Sequence, residues 1–375
     1  MTKSGSRAPR PPAGAARNHA ERSRRLVTSV VLALSLAAPA CSSSGRSVVT
    51  VLYAGSLIIP FTALEEAYEA AHPGVDVQME GHGSIQVMRH VTEIGDLVDV
   101  VATADGALIP LLMYSKQDPE TGRPYADWYV EFATNRLALA HTPSSRGADE
   151  ITPDNWPEVL RQSGVTLGLA DPRLDAAGYR ALMVLAMAED EYGEPTLFID
   201  LAGSRFDPVV TTTREDDRTV IVVPELLEPR SGSGLLMRGA SLQLIALLES
   251  GDLDYAFEYE SVIRQHGLEM VTLPDSLNLG ADAYRDEYRQ VQVRLDFRRF
   301  ASVEPVFAGD VIRYAVTIPT NALNPEEGER FVAFLLGGEG RAIMEANQQE
   351  MLTYPEADHH DALPDALQPL AVPAP

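Results

Sequence analysis

A chain of 375 residues with 54 Asp/Glu against 30 Lys/Arg carries a net charge of −24. So acidic a molecule repels a phosphate backbone, which excludes nucleic acid as a partner, and at roughly 150 residues per domain the length implies about two domains. A single cysteine excludes a disulfide framework.

The first 40 residues hold seven of the basic side chains (Lys3, Arg7, Arg10, Arg17, Arg22, Arg24, Arg25) and one acid, Glu21, ahead of the apolar run from Leu26 to Ala40. This is the pattern of a secretory leader, because the run is short for a membrane span and ends in small residues. Ser23-Arg24-Arg25-Leu26-Val27 partly matches a twin-arginine export signal. Cys41 follows Ala38-Pro39-Ala40 and precedes the polar stretch Ser42-Ser43-Ser44-Gly45. That arrangement resembles a bacterial lipoprotein cleavage site, with Ala38 where such signals usually have Leu. Residues 1–40 are therefore expected to form a lipoprotein-type signal peptide and residues 41–47 a linker. A lipidated Cys41 would then hold an extracytoplasmic protein on the outer face of the cytoplasmic membrane or in the periplasm. Beyond residue 40 there are 23 Lys/Arg and 53 Asp/Glu, a net charge of about −30. Salt screens that field within about 10 Å, so an anion site here has to rest on local donors.

Residues 48–53, Val-Val-Thr-Val-Leu-Tyr, read as a buried strand, and Phe61, Leu64, Tyr68 and Ala71 then recur at helical spacing. Gly55-Ser56 falls between them, at a helix start, where free amides and the positive end of the dipole favour an anion; a plain Ser N-cap is the simpler alternative. His72-Pro73-Gly74 stops the helix, and Val75, Val77 and Met79 alternate as in a strand that ends at Gly83-Ser84. Ile85, Met88 and Val91 mark one face of the next helix, residues 97–102 form a third strand, and a further helix is expected around Ala107 to Met113. This βαβαβ order implies a parallel sheet with ligands beyond its carboxyl ends, where Ser56, Ser84 and the Thr103 to Asp105 turn would converge. Neither a dinucleotide fingerprint nor a Walker motif is present.

A strand from Trp128 to Ala140 is long enough to cross between lobes, with a hinge expected near Leu137. The buried strand 165–170 leads through Asp171 and Asp175 to a helix start at Gly178-Tyr179-Arg180. Residues 189–238 are weakly patterned, with turns marked by Pro224, Pro229, Gly232 and Gly234. Helix 242–248 precedes the strand 253–259, in which Glu258 sits among aromatics, either as a solvent-facing carboxylate or as a functional one. Residues 311–319 form a strand that could return the chain to the first lobe, helix 326–336 follows, and the Pro/Ala-rich end is expected to be disordered.

Taken together, Ala54-Gly55-Ser56-Leu57, Asp99 through Asp105, Asp175 with Gly178-Tyr179-Arg180, Asp254 through Tyr259 with Gln265-His266, Leu273-Pro274, and Thr317-Ile318-Pro319 occur in the order seen in the archaeal-type tungstate/molybdate-binding proteins. The resemblance covers roughly residues 48–350. It implies an α/β, two-lobe, periplasmic-binding-protein-like (type II) fold with a hinge and an inter-lobe cleft. Lobe 1 would span residues 48–137 and 310–362, lobe 2 residues 138–309, and the disordered tail residues 363–375. The resemblance also implies a monomeric binding protein that delivers tungstate or molybdate to an ABC transporter permease, without a cofactor and without catalysis. The family's ligands fall on Ser56, Ser84, Asp175 and Glu258, assisted by the backbone near Gly178, with the two carboxylates reaching the W or Mo centre.

One departure is Asp175-Ala176-Ala177-Gly178 where the family has Asp-Pro-Cys-Gly, and Asp171-Pro172 offers a second carboxylate four residues earlier. Receptors for sulfate or phosphate would share the Gly-Ser helix starts, and an iron(III) receptor would use paired tyrosines, for which Tyr179, Tyr255 and Tyr259 are available. A secreted hydrolase lacks support, since no G-x-S-x-G elbow is present.

Overall fold

The computed structural model describes residues 46–296 and 305–375. The expected leader, Cys41 and the first part of the linker lie outside the described residues. Among those residues no helix is long and apolar enough to cross a membrane.

Two separate sheets organise the chain. The first holds seven strands in the spatial order Val372–Pro373, Met351–Asp358, Tyr129–Thr134, Arg313–Thr317, Val100–Thr103, Ser47–Ala54 and Val75–His82. Ser47–Ala54 pairs in parallel with both of its neighbours, the βαβαβ unit read from the hydrophobic pattern. Val49, Val51 and Leu52 are buried there, as are Phe61, Leu64 and Tyr68 of the helix Ile58–Ala71. That helix packs on Pro325–Leu336 through edge-on contacts of Tyr68 with Phe331 and Phe334, at centroid separations of 5.3 and 5.4 Å. Burial of each such side chain contributes about 1.5–3 kcal/mol.

The second sheet holds five strands, Leu235–Arg238, Leu167–Ala170, Tyr255–Tyr259, Leu137–His141 and Glu269–Thr272 in spatial order. The chain passes from the first sheet to the second between Thr134 and Leu137, and it re-enters the first at Arg313. The single strand expected from Trp128 to Ala140 is therefore broken at Asn135-Arg136. There the Asn135 side-chain carbonyl accepts the Arg136 N–H at 3.0 Å and substitutes for a sheet partner.

Other expectations need correction. Residues 206–229, 291–295 and 306–308 form a four-stranded sheet (Thr211–Glu215, Arg218–Val223, Val291–Leu295, Val306–Ala308) and a two-stranded one (Phe206–Asp207, Glu228–Pro229). Thr211–Glu215 is exposed at every position, so no alternation announced it. The third strand of the first lobe begins only at Val100. The helix after it is a wide-turned one, Ile109–Tyr114, with Pro110 in its first turn. The tail is built into the fold: Leu363 and Leu367, four residues apart, are buried, and Val372–Pro373 pairs in parallel with Met351–Asp358. Two leucines at helical spacing were the signal hidden in a Pro/Ala-rich background.

Candidate functional site

Ser56 lies in a short tight turn, Gly55–Leu57, between the strand Ser47–Ala54 and the helix Ile58–Ala71, and its hydroxyl caps neither element. Instead Ser56 Oγ stands 2.9 Å from the Tyr314 hydroxyl. Ser84 opens the helix Ser84–Arg89, whose N-cap is Gly83, and Ser84 Oγ accepts the Ala104 N–H at 3.1 Å. A plain capping role therefore explains neither serine. Both are buried on the first lobe, at the carboxyl ends of neighbouring strands.

On the second lobe Asp175 is the N-cap of Ala176–Tyr192. Its Oδ1 accepts the Ala177 N–H at 2.9 Å and its Oδ2 accepts the Ser241 N–H at 3.1 Å. Glu258, on the strand Tyr255–Tyr259, is 0% exposed, so it is not a solvent-facing strand carboxylate. Its Oε1 accepts the Ser241 hydroxyl at 3.1 Å and the Tyr259 N–H at 2.8 Å. Its Oε2 is buried without a hydrogen-bond partner among the described residues. Because Ser241 donates to both carboxylates, it holds them side by side.

Electrostatics follow from that crowding. Burial pushes the Asp175 carboxyl up to about 6, opposed by the amides of Ala177 and Ser241 and by Arg180. Burial pushes Glu258 up to about 8, and the charge of Asp175 adds to the rise. A carboxylate pair in this state resists a second negative charge and welcomes an electrophile.

Asp171, the competing carboxylate, is committed elsewhere, since Arg173 donates to it through Nε at 2.8 Å and Nη2 at 2.5 Å. Gly178 plays a different part from the one expected. Its N–H donates to the Asp175 carbonyl at 3.1 Å inside the first helical turn, so it is not free for an anion. A Cβ at position 178 would lie 2.4 Å from the Ala170 carbonyl oxygen, which only glycine avoids.

Arg180 is not a surface bridge. Its Nη1 donates to the Ala104 carbonyl and to the Tyr259 hydroxyl, both at 2.8 Å, and its Nη2 lies 3.3 Å from Asp105. Tyr179 also donates its hydroxyl to Asp105. The Leu174 carbonyl accepts the N–H groups of Ile85 at 3.1 Å and Gln86 at 3.3 Å. The second lobe is thus fastened to the first around the serines and carboxylates, in a closed arrangement. Gly83 sits where a Cβ would come within 2.5 Å of the Leu174 oxygen, so a side chain there would prevent this approach.

The tyrosines suggested for iron(III) are otherwise engaged: Tyr179 with Asp105, Tyr255 with the Arg146 carbonyl at 2.7 Å, and Tyr259 with Arg180. Burial raises the pKa of all three, the opposite of what a phenolate ligand requires. Sequence reasoning missed Ser241, Asn135 and Tyr314. Gly239-Ala240-Ser241 before the helix Leu242–Ser250 repeats the small-residue serine start seen at Ser56 and could have been found.

Two α/β lobes joined by crossover strands and closed over a cleft, with serine hydroxyls on one wall and carboxylates on the other, define a solute-binding protein of the two-lobe, type II periplasmic kind. The chain belongs to the family of bacterial extracellular solute-binding proteins, whose model matches residues 49–347. It is 37% identical over 321 residues, 85% of each chain, to a solute-binding protein of Methanoculleus marisnigri. It is 36% identical over 349 residues, 88% of this chain and 92% of the other, to the molybdate/tungstate-binding protein WtpA of Thermococcus kodakarensis. The fold is shared with the periplasmic molybdate-binding protein of Azotobacter vinelandii, at a TM-score of 0.51 and 14% identity over 81% of this chain and 100% of that one. It is shared equally with the sulfate-binding protein SubI of Mycobacterium tuberculosis, at 0.51 and 14% over 87% and 92%. Proteins of this family bind and release a solute and are not enzymes.

Proposed function

We propose that the protein captures tungstate or molybdate outside the cytoplasm and hands it to the permease of an ABC importer, as a monomer tethered through a lipidated Cys41. The observation that carries this reading is the buried, unpartnered Oε2 of Glu258 beside Asp175. A carboxylate oxygen left without a partner in a dry site costs about 1–3 kcal/mol or more, and an electrophilic centre relieves that cost. Tungsten(VI) and molybdenum(VI) are large, hard centres that accept two oxygen ligands beyond their four oxo groups, whereas sulfur in sulfate does not. Asp175 and Glu258 would bind the central atom while Ser56 and Ser84 donate to oxo groups, each hydrogen bond to the charged ligand contributing about 1.5–3 kcal/mol. Asp175, and Glu258 once it gives up its proton, repel sulfate, which separates the ions by repulsion as well as attraction. The likeness to the Thermococcus protein, over nearly its whole length, supports the same reading.

The test is thermal unfolding of the purified protein without its leader. Micromolar tungstate or molybdate should raise the melting temperature, since a ligand at a hundred times its Kd adds about 2.7 kcal/mol. Millimolar sulfate should leave it unchanged. Equal shifts with sulfate would contradict carboxylate coordination.

A further inference from the structure

Ser56 Oγ and Tyr314 Oη are 2.9 Å apart and both buried, a contact in which either hydroxyl could donate. The surrounding groups decide the direction. Asn135, at the break between the two crossover strands, accepts two backbone N–H groups through Oδ1, from Arg136 at 3.0 Å and from Ser261 at 3.3 Å. That fixes the amide orientation, because an NH2 group cannot accept. Asn135 Nδ2 must therefore donate, and it does so to Ser261 Oγ at 2.8 Å and to Tyr314 Oη at 3.2 Å. Asn135 Nδ2 can only donate, so among the described partners of the Tyr314 hydroxyl Ser56 Oγ alone can accept its hydrogen, and the hydroxyl turns it there. Ser56 then accepts from Tyr314 and keeps its own hydrogen for the cleft. Burial raises the Tyr314 pKa, so the phenol retains the proton it donates.

We infer that Asn135 and Tyr314 are positioning residues that make Ser56 a one-way hydrogen-bond donor toward the bound oxyanion. The inference rests on the reading of Ser56 as an oxyanion contact. Ser84 reaches the same state by another route, since its oxygen accepts the Ala104 N–H. The two serines thus present hydrogens, not lone pairs, to a ligand whose periphery is all acceptors. The Asn135 relay also joins the ligand wall of the first lobe to Ser261 in the helix Glu260–Gln265, directly after Glu258 and Tyr259.

The experiment is a double-mutant cycle read by titration calorimetry with molybdate. Tyr314→Phe alone should weaken binding about ten-fold, the size of one lost directed hydrogen bond. In a Ser56→Ala background it should have little further effect, whereas with Ser84→Ala it should act additively. A merely structural role for Tyr314 predicts additivity with both. Asn135→Asp, which keeps the shape and the two amide contacts but replaces the donor by an acceptor, should weaken binding as much as Tyr314→Phe. Its cost should be smaller when Tyr314→Phe is already present, leaving only the repulsion of the added charge. This second variant keeps the idea open to refutation if Tyr314→Phe folds poorly. Wild-type protein that ignores molybdate and tungstate would overturn the reading of the site and the relay with it. Normal wild-type binding with Tyr314→Phe unchanged, or additive with Ser56→Ala, would overturn the relay alone.

Discussion

On the first lobe, Ser56 and Ser84 hang from strand ends and carry no charge, and the oxygen of each lies against a donor, the Tyr314 hydroxyl or the Ala104 N–H. On the second, Asp175 and Glu258 are drawn together by Ser241, and burial makes both reluctant to ionise. On the proposed reading the first wall would suit any tetrahedral oxyanion and the second only one whose central atom accepts more oxygen. Affinity for the class and choice within it would then fall to different lobes, with lobe closure making both act on the same ion.

The sharpest way to break this division is to neutralise the second wall. Asp175→Asn combined with Glu258→Gln should lower tungstate affinity by more than about a hundred-fold, and Glu258→Gln alone by about a hundred-fold, the scale of a lost charged contact of about 3 kcal/mol. The double variant should also begin to bind sulfate, which calorimetry would detect; sulfate binding unchanged from wild type would mean that the carboxylates do not discriminate. Damage to the first wall should be milder. Ser56→Ala or Ser84→Ala should each cost about ten-fold for tungstate and leave the preference over sulfate in place.

A smaller effect concerns the ligand-free protein and pH. Folding raises Glu258 to about 8 and Asp175 to about 6, so each carboxyl holds its proton more tightly in the fold than in the unfolded chain. The stability they contribute is full at acidic pH, below their unfolded pKa values, and is lost as pH rises through the folded ones. Above about pH 6 Glu258 contributes up to about 1.4 kcal/mol per pH unit, and Glu131, which burial raises to about 7, adds to the slope up to that pH. Melting temperatures should therefore fall between pH 6 and 8 in wild type and fall less steeply in Glu258→Gln, most clearly above pH 7 where Glu131 no longer contributes. An identical slope in both would remove Glu258 as the cause.

The first lobe was the more legible in the sequence, and the reason is physical. Its strands alternate or run apolar, and its serines follow them directly, so local pattern and site coincide around residues 47–91. The second wall is assembled from residues 175, 241 and 258, far apart in the chain, and only the sheet brings them together. The family register favoured Asp175 over Asp171, and the physical reason, Arg173 occupying the latter, is visible only in the structure. Glu258 looked equally like a strand surface residue until its burial was visible. Gly178 entered only through the family resemblance; its N–H is consumed in the helix's own first turn and it permits close packing on Ala170. The strand break at Asn135 escaped notice because strand-prone residues, Phe132-Ala133 and Leu137-Ala138-Leu139, lie on both sides of it and the interruption is made by one side chain.

The claim on which the rest depends is that both carboxylates bind the central atom, and X-ray absorption at the tungsten or molybdenum edge of the loaded protein tests it most directly. The account predicts six oxygen neighbours, four short oxo bonds and two longer ones, with the longer pair lost in Asp175→Asn/Glu258→Gln protein loaded at saturating ion. A four-coordinate, tetrahedral spectrum in the wild-type complex would contradict it.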